Sequence, residues 1–271
     1  MPDDAMADFE RGDFTHEGKT RAVFRKGSGP AVIVIAEIPG ITPRVLDFAR
    51  KVADLGCTVV LPHLFGDPGH DPYPSSGRTL TAAKSFAATI PATCVSREFV
   101  TMATGRTSPV VGWLRGLARA EHARCGGPGV GAVGMCFTGG YALAMAADDV
   151  LLAPVLSQPS MPIGLTPKQK RSIDISPEDL AAVKRRCASG LTVLGLRFTS
   201  DRLVPAERFE FLREQLGDGF VAVELDDADA NPGALLPPHS VLTEHLIDEP
   251  GQRTRAALDQ VLELFRSRLL A

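Results

Sequence analysis

Apolar and polar positions along the chain fall into two alternating patterns. Residues 31–40 (AVIVIAEIPG) are a continuous apolar run stopped by Pro39 and Gly40, and residues 57–66 (CTVVLPHLFG) are a second. Short unbroken apolar runs of this kind predict strands buried on both faces. Further strands are expected at 129–134, about 150–156, 191–198 and 219–225, with a short edge strand at 20–29. Between them the apolar residues recur at helical spacing. Helices are predicted over 42–56, 108–126, from Phe137 onward, 176–189, 204–215 and 251–270. Ser or Thr followed by Pro opens three of them (Thr42–Pro43, Ser108–Pro109, Ser176–Pro177), and Gly56 and Gly126 close two; these are the usual start and stop residues.

Strands alternating with helices require parallel pairing, because a parallel crossover needs a connection of helix length. The expected fold is a single-domain α/β structure with a mostly parallel, doubly wound sheet flanked by helices. Residues 1–18 read as a polar N-terminal arm with little to bury, and 19–271 as the domain. Residues 79–106 mix helical pieces with breaks at Pro91 and Gly105 and read as an excursion over the site.

Composition narrows the function. The chain has 271 residues, 44% hydrophobic and 23% charged, with a net charge of -3. Such a balance exerts no pull toward nucleic acid or anionic membrane. The acidic start of the chain is not a signal peptide, and no apolar run is long enough to span a bilayer. Five widely spaced cysteines (57, 94, 125, 136, 187) without a CxxC pair suit reduced thiols in the cytoplasm. There is no Walker sequence and no GxGxxG, so no nucleotide cofactor is expected. His63, Asp67, His70 and Asp71 crowd one Pro/Gly-rich loop, but their spacing fits no zinc motif, so no metal is expected.

Chemistry collects where the strands end. In a doubly wound sheet, ligands and catalytic groups gather at the carboxyl ends of the strands. Cys136 follows the strand at 129–134 on a turn into a helix, the layout of a nucleophile elbow. A thiol there sits at a helix N-terminus, whose dipole favours an anion. Asp201 follows the strand at 191–198, and His239 lies in the Pro-rich loop after the last strand. Nucleophile, acid, histidine is the chain order of the α/β-hydrolase triad. Taken singly, Cys136 would be packing, Asp201 a helix cap and His239 a surface residue; together and in order they read as a triad.

The segments AEIPGI, GMCFTGG, TSDRLVP and PPHSV resemble the dienelactone hydrolase family of α/β-hydrolases, along about residues 20–245. The resemblance implies an α/β-hydrolase fold, a Cys136–Asp201–His239 triad and hydrolysis of a small ester or lactone through an acyl-cysteine. It also implies that Glu37 bonds the resting thiol, and that the backbone N–H groups of Ile38 and Phe137 form the oxyanion hole. Two positions depart from the family. Thr138 stands where the elbow usually has glycine, and Thr243 stands where an arginine, four residues after the histidine, holds the substrate carboxylate. Arg97 or Arg106 is open to substituting for it, each equally open to being a solvated surface residue, and Trp113, a core position on an amphipathic helix, is also open to walling the pocket. The rival readings are a non-catalytic small-molecule binding or thiol-sensing protein, and a thioesterase or acyltransferase using the same residues.

Overall fold

The computed structural model describes residues 1–72, 105–160 and 166–271. Among the described residues, eight strands form one sheet: β1 (Glu10–His16), β2 (Lys19–Lys26), β3 (Ala31–Ile35), β4 (Thr58–Pro62), β5 (Val130–Met135), β6 (Leu151–Ser157), β7 (Val193–Phe198) and β8 (Phe220–Leu225). Their order is β1-β2-β4-β3-β5-β6-β7-β8. β2 runs antiparallel to both β1 and β4, and the pairings from β4 to β8 are parallel. The helices are α1 (Pro43–Asp54), α2 (Val110–Cys125), α3 (Gly139–Met145), α4 (Pro167–Arg171), α5 (Pro177–Ala188), α6 (Ala206–Leu216) and α7 (Arg253–Phe265).

The sheet is buried on both sides, which is why its central strands carry no polar alternation. Ile33 and Ile35 of β3 face a core built with α2, α3, α5 and α6. Val32 and Val34 face the opposite core, built with α1 and α7. Successive strand side chains point to opposite faces, so one apolar run serves both layers. Phe48 of α1 is 1% exposed, and truncating a core phenylalanine to alanine costs about 3–5 kcal/mol.

Two of the three expected helix caps form. Thr42 Oγ1 accepts the Val45 N–H at 3.3 Å, and Ser176 Oγ accepts the Asp179 N–H at 3.2 Å. Ser108 does not cap through its side chain: its carbonyl accepts the Val111 N–H at 2.9 Å, but its buried hydroxyl has no hydrogen-bond partner among the described residues.

The expected polar arm over 1–18 is corrected by the structure. Residues 10–16 are the outermost strand, β1, and the segment at 20–29 is not an edge but lies between β1 and β4. Ahead of β1, Met6 and Phe9 are buried. Asp4 and Asp8 hold Arg50 of α1 at 2.7 and 2.8 Å. The strand escaped the apolar pattern because its residues alternate only between exposed and half-buried.

β3 is the switch point of the sheet. The chain leaves it through α1 to β4 on one side and later returns to β5 on the other. Connections that part in opposite directions leave a crevice at the carboxyl ends of the two strands. Glu37 and Cys136 stand at those ends.

Candidate active site

The turn after β5 is sharp. Cys136 has φ 56°, in the left-handed region, and begins a three-residue helical turn that leads into α3. A non-glycine residue there costs roughly 1–2 kcal/mol, a strain that clusters at functional sites. Gly134 makes the turn sterically feasible: a Cβ at that position would stand 2.1 Å from Thr138 O. The variant position Thr138 is fully buried, and its hydroxyl works as a tie. Thr138 Oγ1 accepts the Met135 N–H at 2.8 Å and has Ile35 O as an acceptor at 2.9 Å. The elbow therefore forms with threonine and is bonded to the end of β3.

Asp201 and His239 meet across two loops. His239 Nδ1 lies 2.6 Å from Asp201 Oδ2, and Asp201 Oδ1 accepts the Leu203 N–H at 2.9 Å. With Nδ1–H donating, the other nitrogen is left as the basic one. That atom, Nε2, is buried and has no hydrogen-bond partner among the described residues. Burial alone would lower the pKa of His239, but the Cys136 thiolate and Asp201 outweigh it and hold His239 well above the usual histidine range.

His245, which the sequence reading passed over, shapes the loop that carries His239. Its Nδ1 accepts the Ser240 N–H at 3.2 Å and the His239 N–H at 3.4 Å, while Nε2 donates to Leu236 O at 3.0 Å. The ring also meets Phe198 edge-on at 5.8 Å. Burial pushes its pKa down, in keeping with a neutral ring that accepts at one nitrogen and donates at the other.

Glu37 is placed differently from what the family resemblance implies. Its carboxylate, 6% exposed, accepts from Gln158 Nε2 (3.1 Å), Ser240 Oγ (2.7 Å) and Thr243 Oγ1 (2.5 Å). A buried carboxylate needs donors, and these three occupy it. The thiol instead meets Ser160: Sγ lies 2.9 Å from Ser160 Oγ, and the Ser160 N–H donates to Cys136 O at 3.0 Å. Gln158, fully buried, also accepts the Val241 N–H at 3.3 Å and donates its own N–H to Leu196 O at 2.8 Å. It joins the ends of β6 and β7 to Glu37 and the His239 loop. Sequence reasoning missed Ser160 and Gln158 because neither belongs to a periodic pattern or a motif.

Arg208 of α6 anchors the same region from below. Its fully buried guanidinium donates to Pro159 O (2.8 Å), Leu203 O (2.7 Å) and Ser172 O (2.6 Å). It so clamps the segment before Ser160 to the loop of Asp201. Burial brings its pKa down to about 10, opposed by Asp174 and Asp201. Asp174 itself is pushed up to about 7 by burial, against the pull of Arg208.

The expected substrate contacts are not gathered here. Arg97 lies outside the described residues, and Arg106 is exposed, with no contact to Cys136, Asp201 or His239 among the described residues. Trp113 takes up the core position that its helix pattern suggests. It is 3% exposed, donates from Nε1 to Lys19 O at 3.0 Å and packs edge-on against Phe14 at 5.3 Å, so it braces the β1–β2 hairpin. Phe137 directly follows Cys136 in the turn after β5, and Ile38 lies three residues past the end of β3, the strand paired with β5. Phe65 packs on Phe137 with ring centroids 5.4 Å apart. Among the described residues no group of three or more His, Cys, Asp or Glu is placed to hold a metal, and no helix is long and apolar enough to cross a membrane. His63 instead meets Gly66 O at 2.7 Å and His70 meets Asp3 at 3.1 Å.

The dienelactone hydrolase family model matches residues 19–266. Comparison with curated proteins finds no match. Among solved structures, one from Klebsiella pneumoniae subsp. pneumoniae MGH 78578, assigned to the dienelactone hydrolases, is 20% identical. It has a TM-score of 0.58, and the match covers 95% of this chain and 98% of that one. A dienelactone hydrolase from Anabaena variabilis ATCC 29413 is 16% identical over 97% of this chain and 99% of its own, with a TM-score of 0.55. A dienelactone hydrolase-like promiscuous phosphotriesterase from metagenomic libraries is 16% identical over 96% and 98%, with a TM-score of 0.58. The chain has an α/β-hydrolase fold, belongs to the dienelactone hydrolase family and is a carboxylic ester hydrolase.

Proposed function

We propose that the chain hydrolyses a small ester or lactone through a Cys136–His239–Asp201 triad and a covalent acyl-cysteine. The observation that carries this reading is the 2.6 Å Asp201–His239 contact, with Nε2 left open beside a cysteine on a strained turn. Cys136 Sγ attacks the substrate carbonyl carbon while its proton rests on His239 Nε2. The tetrahedral oxyanion is received by the backbone N–H groups of Phe137 and Ile38. As it collapses, the C–O bond breaks and His239 delivers the proton to the leaving alkoxide. Water, deprotonated by His239, then attacks the thioester; the acid departs and the thiol is restored. Asp201 keeps the imidazole in the tautomer this requires.

Cys136→Ala, or alkylation of Cys136, is expected to abolish turnover of p-nitrophenyl acetate while the circular dichroism spectrum is retained. Undiminished turnover in the alanine variant would refute the reading. A thiol that labels with electrophiles yet supports no turnover would favour a thiol-sensing protein instead.

A further inference from the structure

Cys136 has a partner that neither the triad nor the family resemblance supplies. Ser160 is 7% exposed and is locked to Cys136 at both ends, its N–H on Cys136 O at 3.0 Å and its Oγ at 2.9 Å from Sγ. Its backbone is held from the other side, since Arg208 binds the carbonyl of the preceding Pro159 at 2.8 Å. The hydroxyl therefore faces the sulfur through fixed geometry.

Nearby carboxylates are committed elsewhere. Glu37 is taken up by Gln158, Ser240 and Thr243, and Asp201 by His239 and the Leu203 N–H. From this arrangement we propose that Ser160 is a catalytic residue that donates its hydroxyl hydrogen bond to the Cys136 thiolate and so sets the population of the reactive form. A thiolate has no proton to give, so between these two atoms Ser160 is the donor. Hydrogen bonds to an ionised acceptor are stronger than those to a neutral one, so the contact favours the thiolate over the thiol. Among the described residues, the charged groups that interact electrostatically with this sulfur are His239, which favours the thiolate, and Arg208, whose donors are spent on carbonyls. Once sulfur is acylated its charge is gone and the bond weakens, leaving Ser160 able to turn toward substrate oxygen.

The inference rests on Cys136 being the nucleophile, but its test needs no turnover. The rate of iodoacetamide labelling at Cys136, followed by site-resolved mass spectrometry from pH 4 to 10, reports the thiolate directly. Ser160→Ala is expected to move the midpoint up by about one pH unit, lowering the labelling rate about tenfold on the acid side. Ser160→Thr, which keeps the hydroxyl, is expected to stay near the wild-type profile. If the alanine variant loses its near-ultraviolet spectrum, Ser160→Gly is measured instead. A variant without the hydroxyl whose profile superimposes on wild type would overturn the proposal, as would a folded threonine variant displaced as far as alanine. Wild-type protein whose labelling depends on the Ser160 hydroxyl but which hydrolyses no ester would refute the triad reading while leaving the Ser160 pairing standing.

Discussion

The Thr243 hydroxyl donates to the Glu37 carboxylate, so the loop that carries His239 is tied to the loop that follows β3. The same carboxylate takes the Ser240 hydroxyl at 2.7 Å, one residue from the candidate base. Glu37 is thus a fastening for the histidine loop. Thr243→Val removes one donor from a buried charged acceptor, which costs about 1–3 kcal/mol. The expected outcome is a lower urea midpoint together with reduced kcat, because His239 loses part of its support. Unchanged stability in that variant would show that the Glu37 contact carries no net energy.

Asp201 holds one tautomer of His239. Asp201→Asn keeps the shape but lets the ring adopt the wrong tautomer, and the comparable change in serine proteases costs about 10⁴ in kcat. A loss of that order in kcat is expected here, with thermal stability changed by little. Loss of less than tenfold would mean that the Asp201–His239 bond does not serve catalysis.

Thr138 replaces the usual small elbow residue with a side-chain hydrogen bond to Met135 N–H at 2.8 Å. Thr138→Val keeps the volume and removes the hydroxyl, leaving a buried N–H without its acceptor. It is expected to destabilise the fold by about 1–3 kcal/mol and to lower activity. Thr138→Ser should largely preserve both. Denaturant unfolding of the pair checks this directly.

Asp174 gives the protein a pH-dependent weakness. Burial raises its pKa to about 7 in the fold, against roughly 3.9 for an exposed aspartate. Between those values the native state binds more protons than the unfolded state, so this group's contribution falls as pH rises. It is fully present below the unfolded value and lost as pH climbs through about 7. Asp174→Asn should abolish this slope. Urea midpoints of wild type relative to the variant should therefore drop from pH 4 to pH 8, and a constant difference would show that Asp174 does not titrate in this window.

The sheet was legible wherever a strand is buried on both faces, because β3 through β7 then appear as mostly apolar runs without polar alternation. β1 was not, since Glu10–His16 touches the core on neither face strongly enough to leave a pattern. The positions of Cys136, Asp201 and His239 followed from strand ends and chain order, which sequence preserves. What sequence hides is lateral proximity. Ser160 reaches Cys136 only because β5 and β6 are neighbours, and Thr243 reaches Glu37 only because the loop after the last strand folds back over β3. Residue type misled at Ser108, where an expected cap is a buried hydroxyl with no hydrogen-bond partner among the described residues.

The left-handed backbone at Cys136 sets stability against chemistry at a single position. Glycine tolerates φ 56° without the clash that a Cβ brings, so a chain selected only for persistence would carry glycine there. Cys136→Gly should unfold at a higher denaturant concentration than the native chain, and it would be inert. The sulfur is held in place by a fold that would be more comfortable without it.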